Sequence, residues 1–240
     1  PTSWATLTPV PSKGQNVAVP GQANAEENPG GTRHGKSWIP AECDVPLRKG
    51  WFYHTNEKPK SPEKLFDLYL KSVGRGAALD LGLAPDTRGL LCDEDVAVLK
   101  TFGERIQKTF SINLLEKATA KAENVRGFNS IYSAKNLLDK KQTSYWATDE
   151  DFKTPSVVFT VNNPIVFDII SLQEYIQLGQ RIEEFAVDIM QGTEWKEVAK
   201  GTSVGAKRLI KLDVPVTSKQ VRFRITKSPV SVAISEFGVY

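Results

Sequence analysis

Val221-Arg222-Phe223-Arg224-Ile225 sets apolar and charged side chains strictly in turn, so an extended chain buries one face and wets the other. The same period of two runs through Val157-Val158-Phe159-Thr160-Val161, Phe185-Ala186-Val187-Asp188-Ile189, Val198-Ala199 and Leu209-Ile210-Lys211-Leu212. These segments are predicted as half-buried strands. Turn chemistry falls between them at Asn162-Asn163-Pro164, Gln191-Gly192-Thr193 and Gly201-Thr202. A spacing of about 8–12 residues between such turns is that of a β-sandwich, and about 120 residues are enough for one. The boundary is placed at 111–121.

Upstream the period lengthens. Ser61 reads as an N-cap with Pro62 at the first helical position, Leu65, Leu68, Tyr69 and Val73 form one face, and Gly74 and Gly76 end the helix. The apolar run Ala77-Ala78-Leu79-Asp80-Leu81-Gly82-Leu83 is predicted as a buried strand, followed by the turn Pro85-Asp86-Thr87-Arg88-Gly89. A second helix is predicted over 93–110, where Val96, Leu99, Phe102, Ile106 and Phe110 recur every three or four residues. Helix, strand, helix is the order of parallel α/β architecture, whose sites lie at the carboxyl ends of the strands, so the loop 84–88 faces a site. One such unit is not a domain, and its partner strands are expected upstream of Pro1. Residues 1–60 hold eight of the 14 prolines yet carry Trp4, Trp38 and Trp51, a composition of long loops built for a ligand.

Charge and composition narrow the function. There are 31 basic and 28 acidic side chains, a net charge of +3, and no run of five like charges, which argues against a nucleic-acid or membrane-surface protein. Lys207, Arg208 and Lys211 alternate with apolar residues as on a solvated strand face, not a nucleic-acid groove. No apolar run approaches the roughly 18 residues of a membrane span. The chain opens at Pro1 and its sole methionine is Met190, so the natural start is expected upstream. Cys43 and Cys92 read as ordinary thiols. With only His34 and His54, and neither H-E-x-x-H nor C-x-x-C, no cofactor for catalysis is expected.

Asn136-Leu137-Leu138-Asp139, Thr143-Ser144-Tyr145-Trp146-Ala147-Thr148 and the closing Ile234-Ser235-Glu236-Phe237-Gly238-Val239-Tyr240 resemble the discoidin-like (coagulation factor 5/8 type C) β-sandwich, a fold widely used as a carbohydrate-binding module. The resemblance implies a structural calcium at Asp139, Thr143 and Glu236, although Lys140 and Lys141 stand where the family carries Gly-Asp. In the first half, Trp38-Ile39-Pro40-Ala41-Glu42-Cys43-Asp44-Val45, Gly50-Trp51-Phe52-Tyr53-His54 and Ser72-Val73-Gly74-Arg75, then Ala84-Pro85-Asp86 and Gly89-Leu90, resemble the end of a family 29 glycoside hydrolase, the α-L-fucosidases. The fold implied is α/β then all-β: the last units of a (β/α)8-type barrel over 1–115, with long active-site loops in 1–60, then a discoidin-like sandwich over 116–240.

Retaining glycosidases need two carboxylates about 5–5.5 Å apart, a nucleophile and an acid/base. The resemblance places the nucleophilic Asp before Pro1, and the acid/base Glu just upstream of a segment like Thr2-Ser3-Trp4, so this piece alone is expected to be inactive. Glu42 and Asp44 share one face of a strand and do not straddle a sugar ring. Glu42 is a supporting candidate that orients fucose hydroxyls, or else an ion-pair partner of Arg48 or Lys49. Trp51 is assigned to the fucose C6 methyl, since an indole packs on apolar C–H faces. His54 is a candidate hydroxyl donor, and Trp38 with Trp4 candidate outer walls. Fucosylated glycans, the upstream part of the catalytic domain and an extracytoplasmic location follow from the resemblance, as does a preference for α-1,3/1,4 linkages. The competing reading is a non-catalytic carbohydrate-binding module acting through Trp146, Trp195 or exposed Arg and Lys side chains. Where the family has a Leu-rich strand ending in Asn, this chain has Asp80 and Ala84.

Overall fold

The computed structural model describes residues 8–11, 14, 16, 18–23, 34–38 and 40–240. Thr2, Ser3, Trp4 and Ile39 lie outside them. β1 (Pro9–Pro11) and β2 (Ala18–Ala23) pair antiparallel. β3 (Glu42–Pro46), α1 (Pro62–Lys71) and β4 (Ala78–Gly82) follow, and α2 (Asp93–Phe110) closes the first half.

β3 and β4 run parallel, Glu42 opposite Ala78 and Pro46 opposite Gly82, with α1 as the crossover. Ser61 caps α1 by accepting from the Lys64 amide at 3.3 Å, and the helix ends at Lys71, short of the expected Gly74, with Ser72 donating to the Leu68 carbonyl; Gly76, φ 78°, instead closes the 3-10 turn Val73–Arg75 that follows. The run expected as a buried strand is only half covered: Ala78 and Asp80 are exposed, because β4 pairs with β3 alone and shows its other face to solvent. Helix α2 keeps its expected face at Leu99, Phe102, Ile106 and Phe110, all part-buried, and departs from it at Val96. Val96 is exposed and Asp95 is the residue wholly buried, since Asp95 has a charged partner and Val96 has nothing above it.

The second half is a β-sandwich made largely by two very long strands. It contains β5 (Thr119–Ala122), β6 (Trp146–Ala147), β7 (Ser156–Glu174), β8 (Glu184–Gln191), β9 (Glu194–Gly201), β10 (Arg208–Lys227) and β11 (Ala233–Val239). The first part of β7 pairs with β5 and with the end of β10, which in turn pairs with β8, and β8 with β9. The last part of β7 pairs with the start of β10 and with β11, which pairs with β6. Each long strand thus serves both layers and folds over between them. The register jumps where it does so: residues 212–215 stand opposite Asp168, and 161–164 stand opposite Lys219. Pro164 and Pro215 lie in these bulges, where no ladder hydrogen bond is lost to them. The turn expected at Asn162-Asn163-Pro164 is therefore a bulge inside one strand, and the strands expected at 209–212 and 221–225 are one strand.

The core between the layers is aromatic. Phe237 of β11 stacks on Phe159 of β7 with centroids 4.6 Å apart, and lies 5.3 Å from Phe223 of β10. Trp146 is buried beside them, its indole N–H donating to the Asn124 carbonyl at 2.9 Å. The helical unit meets the sandwich through Phe110 on Tyr240, edge to face at 5.1 Å. Asn113 ties the connection down, donating to the Phe237 carbonyl and accepting from the Leu115 and Val239 amides.

Phe237 touches both layers, so Phe237→Ala should cost about 3–5 kcal/mol in urea unfolding. A loss below about 1 kcal/mol would mean that the layers close without it.

Candidate functional site

The carboxyl ends of β3 and β4 carry the candidate site. The chain leaves β3 through Leu47 and Arg48, loops through Trp51 and His54, and returns at Lys60. Leu47 donates to the Gly82 carbonyl at 2.8 Å, and the Lys60 amide donates to Leu47 at 2.8 Å, closing the base of the loop. The Lys60 ammonium donates to the carbonyls of Pro46 and Arg48.

Arg48 fastens this loop to α2. Its Nε donates to both Asp95 oxygens at 3.1 Å and its Nη2 to Oδ1 at 2.8 Å, and Asp95 is 0% exposed. The same guanidinium reaches the Cys92 Sγ at 2.9 Å and the Glu57 carbonyl, and lies 4.9 Å from the Tyr53 ring centroid. Bonding to Asp95 holds Arg48 above the usual arginine range. Glu42 is not its partner. Breaking a buried pair of this kind by removing one side costs about 3–5 kcal/mol.

Trp51 is 53% exposed, and its ring lies on Gly82. A Cβ on Gly82 would come within 2.7 Å of the indole, so the strand end must be glycine for the ring to lie down. Trp51 presents an open indole face at the carboxyl end of a parallel strand pair. His54 is exposed in the same loop, and its carbonyl accepts from the Glu57 amide at 3.1 Å. Trp38 is 51% exposed ahead of β3. Glu42 is exposed at the amino end of β3, four residues before Pro46, which is about 13 Å of strand. Asp44 pairs in register with Asp80, and both are exposed. The loop 84–88 is turned by Asp86, which accepts from the Arg88 amide at 2.8 Å and its guanidinium at 2.6 Å.

In the sandwich, Glu236 and Asp139 come close together. Glu236 Oε1 is buried without a hydrogen-bond partner, and burial, with the Asp139 charge, pushes Glu236 up to about 7. Asp139 accepts from the Lys141 amide at 2.9 Å and from the Ser144 hydroxyl at 2.7 Å, while Thr143 is exposed. Among the described residues no three His, Cys, Asp or Glu side chains group to hold a metal, so a cation there would draw its remaining ligands from carbonyls, hydroxyls or water. Glu174 was not singled out by the sequence. Its carboxylate accepts from the amides of Arg181, Ile182 and Gly205 at 2.6–2.9 Å, yet burial pushes it up to about 7. A lone Glu ending an apolar strand was its only signal.

Of the two tryptophans named for sugar binding by the sandwich, one is closed to solvent and the other is part-covered. Trp146 is 0% exposed, and Trp195 lies under the Arg222 guanidinium at 4.5 Å. Lys207 and Arg208 are half-buried rather than on a solvated face, and Lys211 pairs with Asp168. A cleft of about 420 Å³ opens instead between Arg126, Glu150, Lys153, Arg181 and Val230.

Residues 117–237 match the F5/8 type C domain family. The chain is 35% identical over 213 residues to alpha-L-fucosidase 1 of Arabidopsis thaliana, an alignment covering 88% of this chain and 42% of that one. It superposes on the GH29 fucosidase of Ruminococcus gnavus, solved in complex with fucose, with a TM-score of 0.85 and 30% identity, over 99% of this chain and 48% of that one. On a glycoside hydrolase 29 family member from an unknown rumen bacterium the TM-score is 0.75 at 25% identity, over 100% and 38%. The chain spans less than half the length of each of these relatives.

Two outcomes are expected. Gly82→Ala should lift the Trp51 ring and shift its fluorescence emission with little loss of stability, whereas an unchanged spectrum would mean that the ring does not rest there. Glu236 and Glu174 both have folded values of about 7, against about 4.3 when unfolded, so burial favours their neutral forms. Their contribution to stability is whole below about pH 4.3 and is lost as pH rises through about 7. In chelator, the melting temperature should fall between pH 5 and pH 8, and Glu236→Gln should flatten that slope. An unaltered slope in the variant would remove Glu236 from the account.

Proposed function

The chain belongs to the F5/8 type C domain family, and on that premise, together with its similarity to α-L-fucosidases, we propose that it is the C-terminal part of a retaining exo-α-L-fucosidase. Residues 1–115 are the last portion of the catalytic barrel and 116–240 the sandwich behind it. The reaction is hydrolysis of terminal α-L-fucosyl residues from glycans. A nucleophilic Asp and an acid/base Glu upstream of residue 1 work as a pair across the glycosidic bond.

The observation that carries the reading is Trp51, open-faced on Gly82 at the carboxyl ends of β3 and β4, where α/β barrels place their sites. The indole face receives the C6 methyl and the C–H side of the fucose ring. His54, in the same clamped loop, donates to a ring hydroxyl. Trp38 walls an outer subsite, and Glu42 orients a fucose hydroxyl or a neighbouring group supplied by the preceding part of the barrel. Arg48 on Asp95 keeps the Trp51 loop from moving, which preserves a geometry that loses rate steeply with small displacements.

A structural Ca²⁺ at Asp139, Thr143 and Glu236 is part of this proposal. It is supported by the orphaned Glu236 oxygen beside a second carboxylate. When bound it cross-links the 139–144 loop to β11, and takes no part in the chemistry. Fucosylated oligosaccharides or glycoconjugates, linked α-1,3 or α-1,4, are the substrates, and the enzyme works outside the cytoplasm, where such glycans are displayed. Among the described residues no helix is long and apolar enough to cross a membrane.

The test is hydrolysis of an aryl-α-L-fucoside by the 240-residue chain and by the chain extended upstream through a complete barrel. The extended form should turn over and the 240-residue chain should not, and Trp51→Ala in the extended form should lower kcat/KM by about 10–100-fold, the worth of one buried apolar contact. Turnover by the 240-residue chain alone would overturn the upstream placement of the two carboxylates.

A further inference from the structure

Three guanidinium nitrogens are shut off from solvent with no hydrogen-bond partner: Nε of Arg75, and Nε and Nη1 of Arg208. Both side chains stand where the helical unit meets the sandwich. Arg75 ends the helical turn Val73–Arg75, and the preceding residue, Gly74, sits so close to Leu209 that a Cβ would come 2.9 Å from the Leu209 Cβ. Arg208 immediately precedes Leu209 at the start of β10. Its Nη2 lies 3.5 Å from where a Cβ on Gly201 of β9 would be. Two arginines thus flank a single close contact between the two halves of the molecule.

Among the described residues no carboxylate pairs with either of them. Burial lowers Arg75 and Lys207, and lowers Arg208 to about 10 with the Arg75 charge adding to the effect. No carboxylate contributes at either arginine. Elsewhere the same chain obeys the opposite rule. Arg48 lies on Asp95, and Arg222 and Arg224 both lie on Asp188. Two neighbouring half-buried cations repel each other and lose hydration, which an anion held between them offsets.

We propose that Arg75 and Arg208 form a receptor for a carboxylate or similar oxyanion at the junction of the helical unit and the sandwich. The unpaired nitrogens supply N–H donors from both side chains, and an oxyanion set between the two guanidinium groups would accept one charge-assisted hydrogen bond from each. Two sources share this chemistry. One is an Asp or Glu side chain from polypeptide outside these 240 residues, in keeping with relatives that extend well beyond the 42–48% this chain spans. The other is a free small oxyanion. The receptor stands apart from Trp51 and does not rest on the fucosidase reading.

The experiment is thermal melting of the 240-residue chain, and of the chain extended upstream, with 10 mM sulfate or acetate against chloride at matched ionic strength. In the 240-residue chain the oxyanions should raise the melting temperature by about 3 °C. The rise should vanish in Arg75→Met and Arg208→Met, which keep the volume and remove the charge, and should persist in Lys196→Met. If the polypeptide supplies the carboxylate, the extended native chain gains nothing from sulfate or acetate, and Arg208→Met lowers its melting temperature while raising that of the 240-residue chain. If the oxyanion is free in nature, both forms respond alike. Absence of any oxyanion response in both forms, with Arg75→Met and Arg208→Met at least as stable as native in both, would overturn the proposal.

Discussion

The pairing of Arg48 with Asp95 is the constraint on which the candidate site depends. Both groups have little solvent exposure, so salt screens the bond less than it does a surface pair. One guanidinium meets α2 through Asp95, the returning loop through the Glu57 carbonyl, and the Tyr53 ring inside the loop. Everything between Lys49 and Lys60 is therefore held at both ends and in the middle. An aromatic side chain half open to solvent keeps a fixed attitude only in such a frame. Trp51 owes its position to a charge pair that is itself nowhere on the surface.

Local backbone signals are legible in this sequence, and tertiary ones are not. Ser61 and Pro62 start the first helix by backbone chemistry that any sequence displays, although it stops at Lys71, before the glycines, and 93–110 is helical. The alternation of Val221 to Ile225 is the alternation of a strand with one buried face. The sequence could not disclose that Asp95, not Val96, faces inward, because a buried carboxylate is explained only by a partner 47 residues away. Nor could it disclose the fate of Asn162-Asn163-Pro164. Turn formers and bulge formers are the same residues, and what decides between them is whether the flanking strands pair with each other or with something else. In the site, Trp51 and its loop were recognisable from their motif, whereas the seat on Gly82, and the separation of Glu42 at the other end of β3, are properties of a parallel register.

Charge is distributed through this molecule in three ways. Some groups are paired inside, as Arg48 and Asp188 are. Some are satisfied by backbone, as Glu174 is by three amides, so that the loops at 181–182 and 205 converge on one carboxylate. A third class, Glu57 Oε2, Glu236 Oε1 and the Arg75 and Arg208 nitrogens, is buried without a partner among the described residues. The first two classes explain themselves as architecture. The third does not, and it is on Glu236 and on the two arginines that the proposed calcium and the proposed oxyanion rest.

The last strand of the sandwich is not an edge strand. β11 lies between β6 and β7, and it brings Phe237 to the centre of the core and Val239 to Asn113, 126 residues earlier. During synthesis, β5 to β10 therefore emerge from the ribosome before the strand that completes their layer exists. Until residues 233–239 appear, the apolar inner faces of β7 and β10 have no cover, and such faces are the ones that aggregate or recruit chaperones. Closure of this domain therefore waits on residues 233–239, and a chain cut before Ala233 would leave those faces open.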